Sequence, residues 1–336
     1  MSAVLVAGGA GYIGSHMTWM LIEAGHQVVV LDNLSTGNKN SIPPQIPFFH
    51  GDIRDTALLD YIFSQFSIDI VFHFAACIDV GESVSNPSLY YQNNVVATLQ
   101  LLDSMCAHNI KKIVFSSSAA VYGEPQYTPV DIHHPTLPVN AYGRTKLMVE
   151  HILKDYDKAY QMHYFCFRYF NASGADPLSR TGEHHKSESH LIPRILQVAS
   201  GLRRHIEIYG EDYPTPDGTC IRDFIHVYDL CRAHLFALHW LRENTESKIY
   251  NLGSDIGFSV QQVIAESRNI TQRQIPALVR SRREGDPAIL VANSKPFQLD
   301  FGWKPQFPKL TDILTHAWQW EQLRSKQSFQ PIGTTA

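Results

Sequence analysis

Residues 4–16 read VLVAGGAGYIGSH. Four apolar residues run into glycines at 8, 11 and 14, and an amphipathic run follows. That order predicts a strand, a tight turn and a helix. In such a turn one glycine bends the chain, another lets the backbone approach a pyrophosphate, and a third lets helix and strand pack closely. The helix N-terminus then presents N–H groups and a positive dipole end to an anion. An ordinary strand–helix turn is the plainer alternative. The next strand argues against it. Residues 28–35, VVVLDNLS, put Asp32 at a strand end, eighteen residues beyond Gly14. A carboxylate there accepts both ribose hydroxyls of an adenosine and repels a 2′-phosphate, so NAD is the expected cofactor and NADP is not. GDIRD (51–55) ends the following strand and offers Asp52 to the adenine edge.

The rest of the first half keeps this alternation. Apolar runs at 27–31, 70–74, 111–116 and 163–168, with a weaker one at 48–51, are expected strands. Helical patterns lie between them, notably at 12–24, 88–108 and 141–161. Strands that are apolar throughout and separated by helices form a parallel sheet covered on both faces. The expected class is α/β: a doubly wound parallel (Rossmann) sheet with a smaller mixed α/β C-terminal substrate domain. After about residue 170 the rhythm breaks. Residues 171–189 are polar and loop-like, and the short strands IEIYG (206–210) and IYNLG (249–253) mix with helices. The expected division is 1–170 for the NAD-binding domain and 171–326 for the substrate domain, with the chain crossing back to the first. Residues 327–336 read as a frayed tail.

Composition sets the bounds. With 336 residues, 44% hydrophobic and 18% charged, the chain can bury a substantial core. A formal net charge of −4 argues against a general binder of nucleic acid or membrane surfaces. No apolar run approaches a membrane span. A strand beginning within SAVLVAGGAG (2–11) leaves no room for a targeting segment, so a cytoplasmic protein is expected. Five cysteines, at 77, 106, 166, 220 and 231, have no framework spacing and point to free thiols. His184 and His185 lie beside Glu183, but neither a Cys nor a further His pair completes a site. A solvated loop and no metal are expected there.

The chemistry is concentrated in two later segments. KKIVFSSSAAVYG (111–123) places Ser116, Ser117 and Ser118 at the C-terminal end of a strand, the edge where ligands bind in such sheets. A serine run can also be a mere turn. AYGRTKLMVE (141–150) follows Pro138 and Asn140, two helix-start signals. Tyr142 and Lys146 are four residues apart and therefore share a helix face. Tyr and Lys also suit an exposed helix surface, but here they fall on the same edge as the glycine loop and the serines. A free phenol has a pKa near ~10 and is a poor base at neutral pH. Bringing it to neutrality takes about 4 kcal/mol, within reach of two positive charges in a shielded site. Lys146 is expected to supply one and a nicotinamide ring the other. Ser118 is expected to orient the substrate oxygen toward Tyr142. Gly143 costs the helix roughly 0.5–1 kcal/mol, for which cofactor approach and local packing are equal explanations.

Together these segments resemble the extended short-chain dehydrogenase/reductase family, and within it the nucleotide-sugar epimerases. Further motifs carry the likeness: HFAA (73–76), VGESVSNP (80–87), YYQNNV (90–95), RYFNASGA (168–175), DYPTPDGTCIRDFIHVYDL (212–230), YNLGS (250–254) and RREGD (282–286). They run in the family's order from Val4 to about Trp320. The resemblance implies an NAD-dependent enzyme that interconverts UDP-galactose and UDP-glucose through a transient 4-keto sugar, as a homodimer. It implies Ser118, Tyr142 and Lys146 as catalytic residues. It implies cofactor contacts from Gly8, Gly11, Tyr12, Ile13, Gly14, Asp32, Asn33, Asp52, Ile53, Phe74, Ala75, Ala76, Asn93, Ser116 and Tyr169, besides Tyr142 and Lys146. For the UDP-sugar it implies Ser118, Asn171, His190, Leu191, Tyr209, Arg222, Arg283 and Asp286, the two arginines gripping the diphosphate. The chain departs from the pattern of some members. Ile78 replaces a lysine, His190 an asparagine and Ala120 a threonine, and Leu290 stands where bulk limits the sugar's C2 substituent.

Other readings compete with this one. Within the class they are 4-epimerases of UDP-N-acetylhexosamines or UDP-glucuronate. A 4,6-dehydratase needs an acid–base carboxylate beside the serine, where this chain has Ala119 and Ala120. A non-catalytic dinucleotide sensor has no use for an intact Ser/Tyr/Lys set.

Overall fold

Strand β1 (Ala3–Ala7) is buried along its whole length, and its side chains divide alternately between two cores. Val4 and Val6 face one, with Met17, Leu21 and Phe72; Ala3, Leu5 and Ala7 face the other, with Leu59, Ile62 and Leu101. The period of two in a strand requires this split once both faces are covered. The computed structural model describes residues 2–185, 188–283 and 285–328. After β1 come α1 (Tyr12–Glu23), β2 (Gln27–Asp32), β3 (Phe48–His50), α2 (Thr56–Gln65), β4 (Ile68–His73), α3 (Val80–Ser85), α4 (Pro87–Tyr90), α5 (Ala97–Ala107), β5 (Lys112–Ser118), α6 (Ala141–Tyr160) and β6 (His163–Tyr169). The second half holds β7 (Asn171–Ser173), α7 (Leu191–Ala199), β8 (Ile206–Tyr209), β9 (Ile221–His226), α8 (Val227–Glu243), β10 (Lys248–Leu252), β11 (Gly257–Ser259), α9 (Val260–Thr271), β12 (Ala277–Arg280), β13 (Ile289–Leu290), α10 (Lys295–Phe301) and α11 (Leu310–Ser328).

Seven parallel strands form the main sheet in the order β3-β2-β1-β4-β5-β6-β10. The order reverses direction between β1 and β4, which opens a crevice at their C-terminal ends. The fold is thus the doubly wound α/β sheet expected. A second, smaller layer follows. There β9 pairs with β7, β11 and β13, β8 pairs with β12, and α7, α9 and α11 enclose Ile195, Leu196, Val263, Ile264, Ile313 and Leu314.

Three local expectations need correction. Residues 248–252, expected among the short strands of the second layer, pair with β6 and extend the main sheet. Burial drives this: Tyr250 stacks on Phe165 at 5.7 Å and Leu252 joins the same core. Residues 171–189 are not simply a polar loop. β7 pairs with β9, Ala175 bridges Gly182, and Ser173, Asp176, Thr181 and Glu183 are buried. Helix α11 continues through Gln327 and Ser328, which were expected in the tail; the rest of that tail lies outside the described residues. The five cysteines are unpaired, and no described helix is long and apolar enough to cross a membrane.

Helix α6 is tied to the sheet by a buried ion pair. Arg168 on β6 donates from Nη2 to Glu150 Oε2 at 2.6 Å and from Nε to Oε1 at 3.0 Å. Ser117 Oγ donates to the same carboxylate at 2.5 Å, and Arg168 Nη1 donates to the Tyr122 hydroxyl at 3.0 Å. Removing one partner of such a pair strands the other's charge in the interior. Glu150→Ala should therefore lose about 3–5 kcal/mol of unfolding free energy in a denaturant titration. The apolar double variant Glu150→Leu/Arg168→Met should recover part of that loss, which a contribution from packing alone would not allow.

Candidate active site

The three glycines of the first turn serve different purposes. Gly8 has φ +79°, and a Cβ there would sit 2.5 Å from the Ala75 nitrogen. A Cβ on Gly14 would meet the Gly8 carbonyl at 2.1 Å. Both are demanded by the chain's own packing. A Cβ on Gly11 would meet only the Gly8 carbonyl, at 3.3 Å, so its glycine leaves space for something outside the chain. Gly11 is also the N-cap of α1, which no side chain caps and whose first turn, including Tyr12, Ile13 and Gly14, holds no acid. Uncapped N–H groups and open space together fit a bound phosphate.

Asp32 lies beside this turn and is buried. Its Oδ2 accepts from Ala10 N at 2.9 Å and its Oδ1 from Leu34 N at 2.8 Å, which leaves lone pairs for two hydroxyls. Asn33 donates to Asp52 at 2.9 Å, so these expected neighbours do meet. The Arg54 guanidinium forks onto Asp52 and holds its carboxyl down at about 2. Ile53 is buried in the core beneath. Phe74, Ala75 and Ala76 are half-buried where β4 ends, with Phe74 N and Ala75 N donating to Ala7 O at 2.8 and 3.0 Å. Asn93 lies in a π-helical turn (Tyr91–Val96) and donates to Asn94 at 3.1 Å. The reading of the sequence missed Asn94, whose amide joins Cys77 N, Cys77 O and Thr145 Oγ1 and so ties the loop after β4 to α6. π-turns of this kind recur at functional sites.

The candidate reacting groups come from β5 and α6. Asn140 caps α6 by accepting from Gly143 N at 2.8 Å, as expected. Lys146 is buried and donates to the Ser116 carbonyl at 2.8 Å. Its ammonium lies 5.8 Å from the centre of the Tyr142 ring. Ser118 Oγ accepts from Ala120 N at 3.1 Å. Tyr169 is buried, with its hydroxyl 2.6 Å from His234 Nε2. Gly143 is explained by packing: a Cβ there would meet the Ala120 carbonyl at 2.4 Å. Burial pushes Tyr142 above its ordinary value, and only the Ser118 hydrogen bond works against that. Burial also brings Lys146 down to about 8. The protein's own groups therefore do not make Tyr142 acidic, and a further positive charge is required.

On the substrate side, Arg222 Nη2 donates to Asp286 at 2.9 Å and its Nη1 to the Pro287 carbonyl at 2.8 Å. The Arg283 guanidinium lies 3.8 Å over the Tyr209 ring. Asn171 donates to the Asp223 carbonyl at 2.7 Å. Asp223 itself is fully buried, was not anticipated, and accepts from the backbones of Ser254, Asp255 and Ala292; burial raises it to about 6. Leu191 opens α7. His190 is turned elsewhere, onto the carboxylates of Glu183 and Glu188. Those two glutamates are buried, so the expectation of a solvated loop at 183–185 fails for Glu183. His184 alone matches it, exposed and 3.4 Å from Asn38 Nδ2.

The crevice, the glycine turn and the Ser/Tyr/Lys set define a dinucleotide-dependent enzyme of the short-chain dehydrogenase type. Residues 4–253 match the family model for the NAD dependent epimerase/dehydratase family, and the chain belongs to that family. It is 52% identical over 320 residues to a UDP-glucose 4-epimerase of Halalkalibacterium halodurans, covering 95% of this chain and 96% of that one. A crystal structure of a UDP-glucose 4-epimerase superposes with a TM-score of 0.94 at 46% identity, covering 99% of this chain and 100% of the other. The Brucella ovis UDP-glucose 4-epimerase in complex with NAD superposes at 0.93 with 43% identity, covering 96% and 99%. NAD is the cofactor of this family, and the Gly11 opening, the uncapped α1 and Asp32 fit it.

Two measurements test this site. Gly11→Ala should leave stability within about 1 kcal/mol, because the methyl meets little of the protein. Its NAD affinity by calorimetry should fall at least ~10-fold, equivalent to about 1.4 kcal/mol. Gly14→Ala should instead unfold at clearly lower denaturant. Lys146 sets a pH limit. Since it loses its proton as pH rises through about 8, NAD binding to protein stripped of cofactor should weaken over that range. Lys146→Arg, which keeps its charge above pH ~12, should show no such limb.

Proposed function

We propose that this chain interconverts UDP-galactose and UDP-glucose through a transient 4-keto sugar. The observation that carries the reading is the grouping of Ser118, Tyr142 and Lys146 on the sheet edge that also bears the Gly11 opening. The epimerase relatives support it. When bound, NAD supplies a reversible hydride acceptor for sugar C4 and a positive ring charge. Tyr142 takes the proton from the 4-hydroxyl and returns it after the ring has turned. Ser118 orients that hydroxyl and stabilises the phenolate through its hydrogen bond. Lys146 adds charge near Tyr142 and holds the nicotinamide ribose. Asp32 holds the adenosine ribose, with Asn33, Asp52, Ile53, Phe74, Ala75, Ala76, Asn93, Ser116 and Tyr169 around the rest of the cofactor. Arg222 and Arg283 grip the diphosphate, Tyr209 flanks the uracil, and Asn171, Leu191 and Asp286 complete the nucleotide site. This tether holds the nucleotide and leaves the sugar free to present either face.

The same reading includes a homodimer in the cytoplasm. Exposed apolar side chains on neighbouring helical elements, Leu89, Val96 and Met148, offer a surface for pairing, and light scattering on the purified protein tests it.

Holoenzyme given UDP-glucose should form UDP-galactose without added NAD. Substrate deuterated at C4 should give product that keeps its deuterium. Steady release of free NADH, or loss of the label to the NAD pool, would identify a net oxidoreductase and end the proposal. Tyr142→Phe should lose roughly 10²–10⁴-fold in turnover while still binding NAD. Parallel assays with UDP-N-acetylglucosamine and UDP-glucuronate decide the substrate range around Leu290.

A further inference from the structure

Four described side chains just before α7 bring donor groups to one point. Glu183, His185, Glu188 and His190 each offer one ligand atom, and these atoms all lie within 4.8 Å of one another. His185 Nδ1 is 3.4 Å from Glu183 Oε1 and 3.3 Å from Glu188 Oε2. His190 Nδ1 is 3.8 Å from Glu188 Oε1 and in direct contact with Glu183 Oε1. Zinc bound tetrahedrally at about 2.0–2.1 Å spaces its ligands about 3.3–3.4 Å apart. Two of these separations already have that length. A third is slightly wider, and the His190–Glu183 contact is a hydrogen bond that a cation would replace.

Charge and burial point the same way. Glu183 and Glu188 are only 9% and 8% exposed. Among the described residues their ion pairs run to His185 and His190, and neither meets a lysine or arginine. Two buried carboxylates and two imidazoles gathered at one point are a donor set that a divalent ion accepts. The surrounding shell is in place. Trp320 Nε1 donates to the Glu183 carbonyl at 3.1 Å, and His190 N donates to Glu188 Oε1 at 2.9 Å.

We propose that Glu183, His185, Glu188 and His190 bind one zinc ion. Imidazole nitrogen and carboxylate oxygen are ligands zinc accepts readily, and four protein ligands close the coordination sphere, which makes the site structural. The ion would clamp the segment leading into α7 against α11 through Trp320. His190 then serves the metal and not the nucleotide, while Leu191 beside it is held at the start of α7. The inference goes beyond the epimerase reading and stands without it.

The test uses the NAD-loaded protein, freed of metal by a chelator and returned to metal-free buffer. Zinc chloride should then bind at about one ion per chain by elemental analysis after desalting, and it should raise the melting temperature. Cobalt(II) chloride should give the intense visible bands of a tetrahedral site. His185→Gln and Glu188→Gln, each checked for a native near-ultraviolet circular dichroism spectrum, should bind zinc at least ~10–100-fold more weakly and lose the thermal shift. Retention of less than a tenth of an ion per chain, with no zinc-dependent shift and no cobalt bands, would overturn the proposal. Unchanged zinc affinity in both folded variants would overturn it equally.

Discussion

The buried pair between Glu150 and Arg168 fixes where the catalytic helix lies on the sheet. Tyr142, Lys146 and Glu150 are spaced at i, i+4 and i+8, one stripe along α6. Glu150 is the anchored rung. Arg168 stands opposite Ser117 in the β5–β6 register, and Ser117 donates to the same carboxylate. With that rung held, the next two turn toward the neighbouring serines: Lys146 meets the Ser116 carbonyl, and Ser118 is the group that offsets burial at Tyr142. Three consecutive serines on a strand are thus matched to three successive turns of a helix. A residue buried behind the candidate site sets the phase of those that face it.

The same burial shapes the proton chemistry. It pushes Tyr142 up and Lys146 down, opposing charge on both. A buried lysine near 8 is still mostly charged at neutral pH, whereas a buried tyrosine is not ionised. The site therefore resists making a phenolate until a second positive charge arrives. This links the base to the presence of the cofactor and limits unproductive proton loss. Asp32 is treated differently. The Ala10 N–H ties its carboxylate to the glycine turn and the Leu34 N–H to the chain after β2, so Asp32 and the turn form one hydrogen-bonded unit.

Much of this was legible in the sequence because periodicity and glycine spacing carry direct physical meaning. Strands apolar on both faces, three glycines after the first, and Asp32 at the second strand's end pointed to the sheet and its ligand edge. The Asn140 cap and the Tyr142/Lys146 spacing were readable for the same reason. Glu150 was not, since a glutamate on a helix ordinarily reads as solvated. The placement of residues 248–252 was hidden because five residues do not say which sheet edge they will join. The grouping of Glu183, His185, Glu188 and His190 was hidden because its spacing matches neither a helical nor a strand period. His184 is exposed, while the partners of Glu183 stand two, five and seven positions after it. Gly143 left cofactor approach and local packing equally open in the sequence, and the Ala120 carbonyl decides for packing.

The late arrival of β10 has a consequence for the order in which the chain is made. Until residues 248–252 emerge from the ribosome, β6 is an open edge with unpaired backbone groups. The aromatic face of Phe165 and Phe167 also waits for Phe297 and Trp303. The nucleotide-binding half is thus synthesised first but completed last, and it depends on chain that belongs to the other half. Uncovered edges and apolar faces are what other chains stick to. A ribosome stalled in the second half would therefore carry an aggregation-prone nascent chain and not a finished cofactor-binding module.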